Sequence, residues 1–143
     1  MTAEFLAACA AAASASPAEE LRQVRGRALV TVFSDFWDEA TARAATGLSA
    51  SGAQVNLIHL LSRAELDPLV RGAVQLADAE SGETVSRFVD REELDAYGRL
   101  LQEHCATLRG EARRREIGYL RCASDEPFEN IVMVHLRGEG VLE

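Results

Sequence analysis

Asp35 is the residue whose type and place most suggest chemistry. It stands in Phe33-Ser34-Asp35-Phe36-Trp37-Asp38, directly after the apolar, β-branched run 28–33 (ALVTVF). In an open α/β sheet, the carboxyl ends of the strands are where ligands bind. An aspartate there could coordinate a metal, accept a phosphoryl group or attack as a nucleophile. Its neighbours restrict each option. Haloacid-dehalogenase-type hydrolysis uses two aspartates separated by one residue, and here Phe36 and Trp37 intervene before Asp38. A receiver-like phospho-acceptor calls for further acidic residues on a preceding strand and usually a lysine. This chain has no lysine: all 15 basic residues are arginine. Schiff-base and P-loop chemistry fall with it. The simpler reading is that Ser34 or Asp35 caps the loop and Asp38 caps the helix that follows.

The other reactive side chains form no set in sequence. His59 lies inside a second apolar run, His104 beside the stripe of a long helix, and His135 on a final helix. A lone histidine on an apolar face is ordinarily a hydrogen-bonded core residue. His104 and Cys105 are helix neighbours pointing about 100° apart, so they make no nucleophile–base pair. Cys9, Cys105 and Cys122 are odd in number and never at Cys-x-x-Cys spacing, which reads as reduced, buried thiols in a cytoplasmic protein. Arg113-Arg114-Arg115 falls at the C-terminal end of the long helix, where it complements the helix dipole and balances Glu103, Glu111 and Glu116. Neither Gly-x-Gly-x-x-Gly nor the P-loop pattern occurs. The expectation is a protein without catalysis and without a cofactor of its own.

The elements that would position these residues can be read in order. Residues 3–13 are Ala-rich and helical in propensity. They carry Glu4 and no basic residue, so they suit a helix better than a secretory signal. A second helical piece covers 18–24 and meets Gly26, a suitable residue past a helix end. Residues 28–33 read as a strand buried on both faces, as in a parallel sheet. Asp38 caps a helix to about residue 50, closed by Gly52, and 54–61 (QVNLIHLL) is the next strand, completing a βαβ unit. Residues 73–77 and 84–88 flank a polar turn and predict a hairpin. Asp90 opens the longest helix, whose Leu94, Tyr97, Leu101, Cys105, Leu108 and Ala112 draw one apolar stripe. Gly118 leads into a third core strand, 119–123. Ser124 or Asp125 starts a last helix with Phe128, Ile131, Val132 and Leu136 on its buried face, ended by Gly138.

The 143 residues are room for one domain, and 48% apolar with 27% charged residues is a globular composition. The net charge of −8 argues against a nucleic-acid backbone as partner. No stretch approaches the roughly 20 apolar residues of a membrane span, so no membrane partner is expected.

Several segments together resemble the domain-of-unknown-function 58 family, whose members carry a von Willebrand factor A-like domain. The run Leu29-Val30-Thr31-Val32-Phe33-Ser34-Asp35-Phe36 is similar to its strand followed by Ser-Asp-Phe. His59-Leu60-Leu61-Ser62-Arg63-Ala64-Glu65-Leu66-Asp67-Pro68 resembles its strand and Glu-Leu-x-Pro turn. Leu76-Ala77-Asp78-Ala79-Glu80-Ser81-Gly82-Glu83 resembles its acidic hairpin. Tyr97 and Arg113-Arg114-Arg115-Glu116-Ile117-Gly118-Tyr119 resemble its long helix and Arg-rich helix end. The likeness runs over about residues 18–137. It implies an α/β fold: a partial von Willebrand A-like, Rossmann-like three-layer sandwich, with a mostly parallel sheet and a β-hairpin insertion. The whole chain would be one incomplete domain, with a helical segment over 1–26 and the core over 27–137.

The departures from the family shape the functional expectation. Such domains hold Mg²⁺ with Asp-x-Ser-x-Ser, a distant Thr and an Asp after a later strand. Asp35 matches only that last position, and this chain has no Asp-x-Ser-x-Ser. One carboxylate holds Mg²⁺ poorly, so a metal is expected only if another chain supplies the rest of the site. The chain reads as the second half of the domain, leaving the strand at 28–33 with a bare apolar edge. The resemblance implies a non-catalytic protein–protein interaction module in the setting of MoxR-type AAA+ ATPases, in protein assembly or maturation. A homodimer through the edge at 28–33 is the alternative pairing. A small hydrolase or phospho-acceptor using Asp35, or a truncated remnant without function, are the alternative readings.

Overall fold

The computed structural model describes residues 16–77 and 82–131. The expected helix over 3–13, Cys9, the tip of the hairpin turn, and Val132, His135, Leu136 and Gly138 lie outside the described residues.

The strand β2 (Gln54–Leu61) is buried along almost its whole length, as a largely apolar run in a parallel sheet should be, with Asn56 and His59 buried in it. It pairs in parallel with β1 (Leu29–Ser34) on one side and β5 (Gly118–Ala123) on the other, giving the order β1-β2-β5. The register places Leu29 opposite Gln54 and Phe33 opposite Ile58, while Leu57 faces Tyr119 and Leu61 faces Ala123. The antiparallel hairpin β3 (Gly72–Ala77) and β4 (Thr84–Val89) forms a second, two-stranded sheet. The class is therefore mixed α/β with a three-stranded parallel sheet and a hairpin insertion, as the sequence predicts.

Helices cover the sheet unevenly. The short α1 (Pro17–Leu21) is followed by α2 (Glu39–Gly47), which runs on as a 3₁₀ turn over Leu48–Ser51 and closes at Gly52 with φ +86°. Between β2 and β3 lies the single turn α3 (Arg63–Leu66), and α4 (Arg91–Arg114) is the longest element. Ala45 and Leu48, from α2 and its extension, join Leu108 and Ala112 of α4 over Val55 and Leu57 of the sheet. Val30, Val32 and Tyr119 pack against that cluster. On the opposite face Ile131, just after α5 (Phe128–Asn130), packs on Ile58 and Cys122.

That asymmetry corrects the reading of β1. Its run suggests burial on both faces, yet only Val30, Val32 and Ser34 are partly covered. Leu29 and Phe33 stay 62% and 53% exposed. Among the described residues, the second helical layer meets β2 and β5 only. The helical piece expected over 18–24 is also shorter than its sequence suggests: α1 stops at Leu21, and Gly26 (φ +77°) serves the connection to β1 instead of the helix end.

The end of α4 carries a local conflict. Glu116 adopts φ +56°, the left-handed position that usually takes glycine. The Ile117 N–H donates to the Ala112 carbonyl at 2.9 Å and the Glu116 N–H to the Arg113 carbonyl at 3.3 Å. These are the two bonds of a Schellman motif, held despite the Cβ strain.

Candidate functional site

At the carboxyl end of β1 the backbone turns sharply, and short polar side chains satisfy its amides. The Phe36 N–H donates to Ser34 Oγ at 3.0 Å, and the Trp37 N–H to Asp35 Oδ1 at 3.2 Å. Asp38 caps α2, accepting from the Ala40 and Thr41 amides at 3.1 and 2.9 Å and from the Thr41 hydroxyl at 2.5 Å. The Thr41 hydroxyl, then those amides, hold the Asp38 carboxyl below its ordinary range. Phe36 itself sits at φ +54° with its ring fully buried. A non-glycine residue in that region is strained and stays there only because its surroundings enforce it.

Those surroundings include a pair of imidazoles. His59, near the carboxyl end of β2, is fully buried. Its ring meets Phe36 edge-on at 5.7 Å and His104 of α4 edge-on at 5.5 Å. His59 Nδ1 and the Tyr119 hydroxyl share a hydrogen bond of 2.9 Å. His104 in turn stacks on the Trp37 indole, 4.3 Å between centroids and 13° between planes. The indole N–H donates to Glu65 Oε1 at 3.4 Å. The Nε2 atoms of both histidines are buried and make no hydrogen bond among the described residues. Burial first, and His104 second, push the His59 imidazole down to about 4, against an opposing pull from the Asp35 backbone carbonyl and carboxylate. His59 is therefore neutral at pH 7. Burial pushes the Tyr119 phenol up to about 12, so it too is uncharged.

The loop is tied to the rest of the molecule through α3. Ser62 and Glu65 form a complete capping box: Ser62 Oγ accepts the Glu65 N–H at 3.2 Å, and Glu65 Oε2 accepts the Ser62 N–H at 2.7 Å. The Tyr97 hydroxyl of α4 donates to the Glu65 carbonyl at 3.0 Å. Beside Trp37 and His104 opens a groove of about 640 Å³ between α2 and α4, lined also by Arg43, Thr107 and Arg115. Its charges are largely paired: Arg43 with Glu39 at 2.7 Å, and Arg114 and Arg115 with Glu111 at 2.6 and 3.4 Å.

The sequence therefore places Asp35 correctly at the strand end but does not foresee its company. Asp35 is exposed, and its carboxylate is engaged by its own loop. His59 and His104, 45 residues apart in sequence, are brought into contact, and Trp37 joins them. Spacing carried a usable signal for His104: it lies three residues after Leu101 and four before Leu108, both on the buried stripe.

The Mg²⁺ that the von Willebrand A resemblance implies does not fit these residues. Among the described residues no group of three or more His, Cys, Asp or Glu side chains is placed to hold a metal ion. Mg²⁺ needs a nearly octahedral shell of oxygens, and Asp35 offers one carboxylate already accepting an amide. Asp35 would thus be a single ligand of a site whose other ligands another chain would have to supply.

The other feature of β1 is its outer edge. The Gln54 N–H donates to the Ala28 carbonyl at 2.8 Å. In a parallel ladder this directs the backbone groups of residues 28, 30, 32 and 34 to β2 and those of Leu29, Thr31 and Phe33 outward. Among the described residues no strand pairs with that row.

Fold and site together define a mixed α/β domain with a half-covered parallel sheet. No family model, curated protein or solved structure matches the chain.

Proposed function

We propose that this chain is a non-catalytic protein–protein interaction module that works through the outer edge of β1. One observation carries the reading: three outward-facing peptide groups, at Leu29, Thr31 and Phe33, stand unpaired among the described residues beside two exposed apolar side chains. Such an edge accepts an added strand, main-chain bonds giving affinity and the flanking apolar groups giving preference. The chemistry at Asp35 favours no competing reading, because its carboxylate serves the loop and the nearby His59 is enclosed. The resemblance to von Willebrand A-like domains supports the same class of function and supplies the partner we propose, a MoxR-type AAA+ ATPase of the cytoplasm.

The test uses Thr31→Pro. The Thr31 N–H points away from β2, so proline there removes an outward donor and no bond of the β1–β2 ladder. The purified chain is mixed with the MoxR-type ATPase of the same organism and followed by sedimentation velocity. A complex formed by the native chain and lost in Thr31→Pro, with far-UV circular dichroism unchanged, is the expected result. A complex insensitive to Thr31→Pro overturns the edge, and no complex at any concentration overturns the partner.

A further inference from the structure

We propose that the His59–His104 pair is a proton-sensitive latch holding the 35–37 loop, and with it the carboxyl end of β1, against the long helix α4. Three pieces of geometry carry this. The two ring centroids lie 5.5 Å apart, and each ring has a buried Nε2 without a hydrogen-bond partner among the described residues. The loop is clasped to them at two points, Phe36 on His59 and Trp37 on His104. Phe36 is held in a left-handed backbone conformation that its own side chain disfavours. The clasp thus keeps a strained loop in place around the uncharged His59 imidazole.

A proton entering this pair changes that balance. An imidazolium donates from both nitrogens; among the described residues neither buried Nε2 makes a hydrogen bond, and the Asp35 backbone carbonyl is the acceptor that faces His59. A charge on either ring opposes a charge on the other, 5.5 Å away. The groups facing the pair do not neutralise it in place. From the loop come the Asp35 carbonyl and carboxylate, and from β5 the Tyr119 hydroxyl and the Arg121 cation. From α3 comes Glu65, whose carboxylate is occupied by the Ser62 amide and the Trp37 indole. Cys105 on α4 and Arg109 over the Tyr119 ring complete the surround. Relief lies outward: His104 borders the groove where Glu39 and Glu111 stand, and moving toward them breaks its stack with Trp37. The loop then opens and Phe36 leaves its strained conformation. Opening would alter the Phe33–Ser34 end of the docking edge. That consequence rests on the proposed function; the latch does not.

The reporter is built in, because Trp37 is the only tryptophan of the chain. Its emission and the far-UV circular dichroism are followed together as the full chain is taken from neutral pH to about pH 4, across the imidazole range. The expected result is a red shift of the Trp37 emission that precedes any loss of helix signal, present in the native chain and absent in His104→Phe, which keeps the stack but takes no proton. His104→Gln serves as a second variant should Phe disturb packing, with the same expected loss. A native emission that does not move, a shift coincident with loss of helix signal, or a shift retained in both variants overturns the latch. Failure of the ATPase to bind would leave this titration unaltered, so the two readings fail separately.

Discussion

Acidification should destabilise this domain through His59 before its carboxylates respond. In the unfolded chain His59 takes up a proton as pH falls past its ordinary 6.5, whereas in the folded chain it resists until about 4. Between those values the unfolded state binds more protons, so stability falls as pH falls. The window corresponds to about 3 kcal/mol at about 1.4 kcal/mol per tenfold. That figure is a ceiling, because opening of the 35–37 loop lets the native state take up the proton as well. Against the roughly 5–15 kcal/mol of an ordinary domain, it is a large share. The carboxyls of Asp38, Glu65 and Glu111 are held low by hydrogen bonds and arginines, so their contributions are present above the ordinary 3.8–4.5 and fade only below it. The slope above about pH 5 is then that of His59. The assay is urea unfolding by far-UV circular dichroism at a series of pH values. The comparison is the double variant His59→Phe/Tyr119→Phe, which removes both ends of the buried hydrogen bond so that neither is orphaned. The native chain should lose stability over this range and the double variant much less. Equal slopes would refute the assignment to His59.

Three further outcomes follow from the packing. Glu116→Gly should raise stability by about 1 kcal/mol in the same unfolding assay, because it relieves the left-handed strain at the end of α4 without touching the Schellman bonds. Leu57→Ala should lower it by about 2–5 kcal/mol, since Leu57 is fully buried in the middle of the central strand, between α2 and α4 and the rest of the sheet. Asp35→Asn should leave sedimentation behaviour unchanged, and neither it nor the native chain should take up phosphate from acetyl phosphate on intact-mass measurement; uptake abolished by the substitution would support the phospho-acceptor reading instead.

The central strand was the most legible part of the fold. QVNLIHLL is bounded by Gly52 and Ser62, and its apolar run leaves no doubt about either end. The long helix was legible for the same reason, its stripe and its Asp90 cap both being local signals; Asp90 accepts the Glu93 N–H at 2.9 Å. What lay beyond sequence were properties set by neighbours. Whether Leu29 and Phe33 are covered depends on which layer reaches β1, and their types alone read the same either way. The turn α3 carries a complete Ser-x-x-Glu box at Ser62 and Glu65, but with only four helical residues after it no apolar periodicity marks the helix. The left-handed residues Phe36 and Glu116 had no signal, since neither is a type that favours the conformation. His59 and His104 meet only once β2 and α4 are laid side by side.

The claim on which the functional account rests is that the outer edge of β1 is open to another strand, and an edge open to a partner is open to a second copy. Light scattering across a concentration series, on the native chain and on Thr31→Pro, addresses it directly. The expected mass rises with concentration in the native chain and stays at the 15.5 kDa monomer in the variant. A native chain that remains monomeric at every concentration would contradict it, and would mean that the edge is already covered.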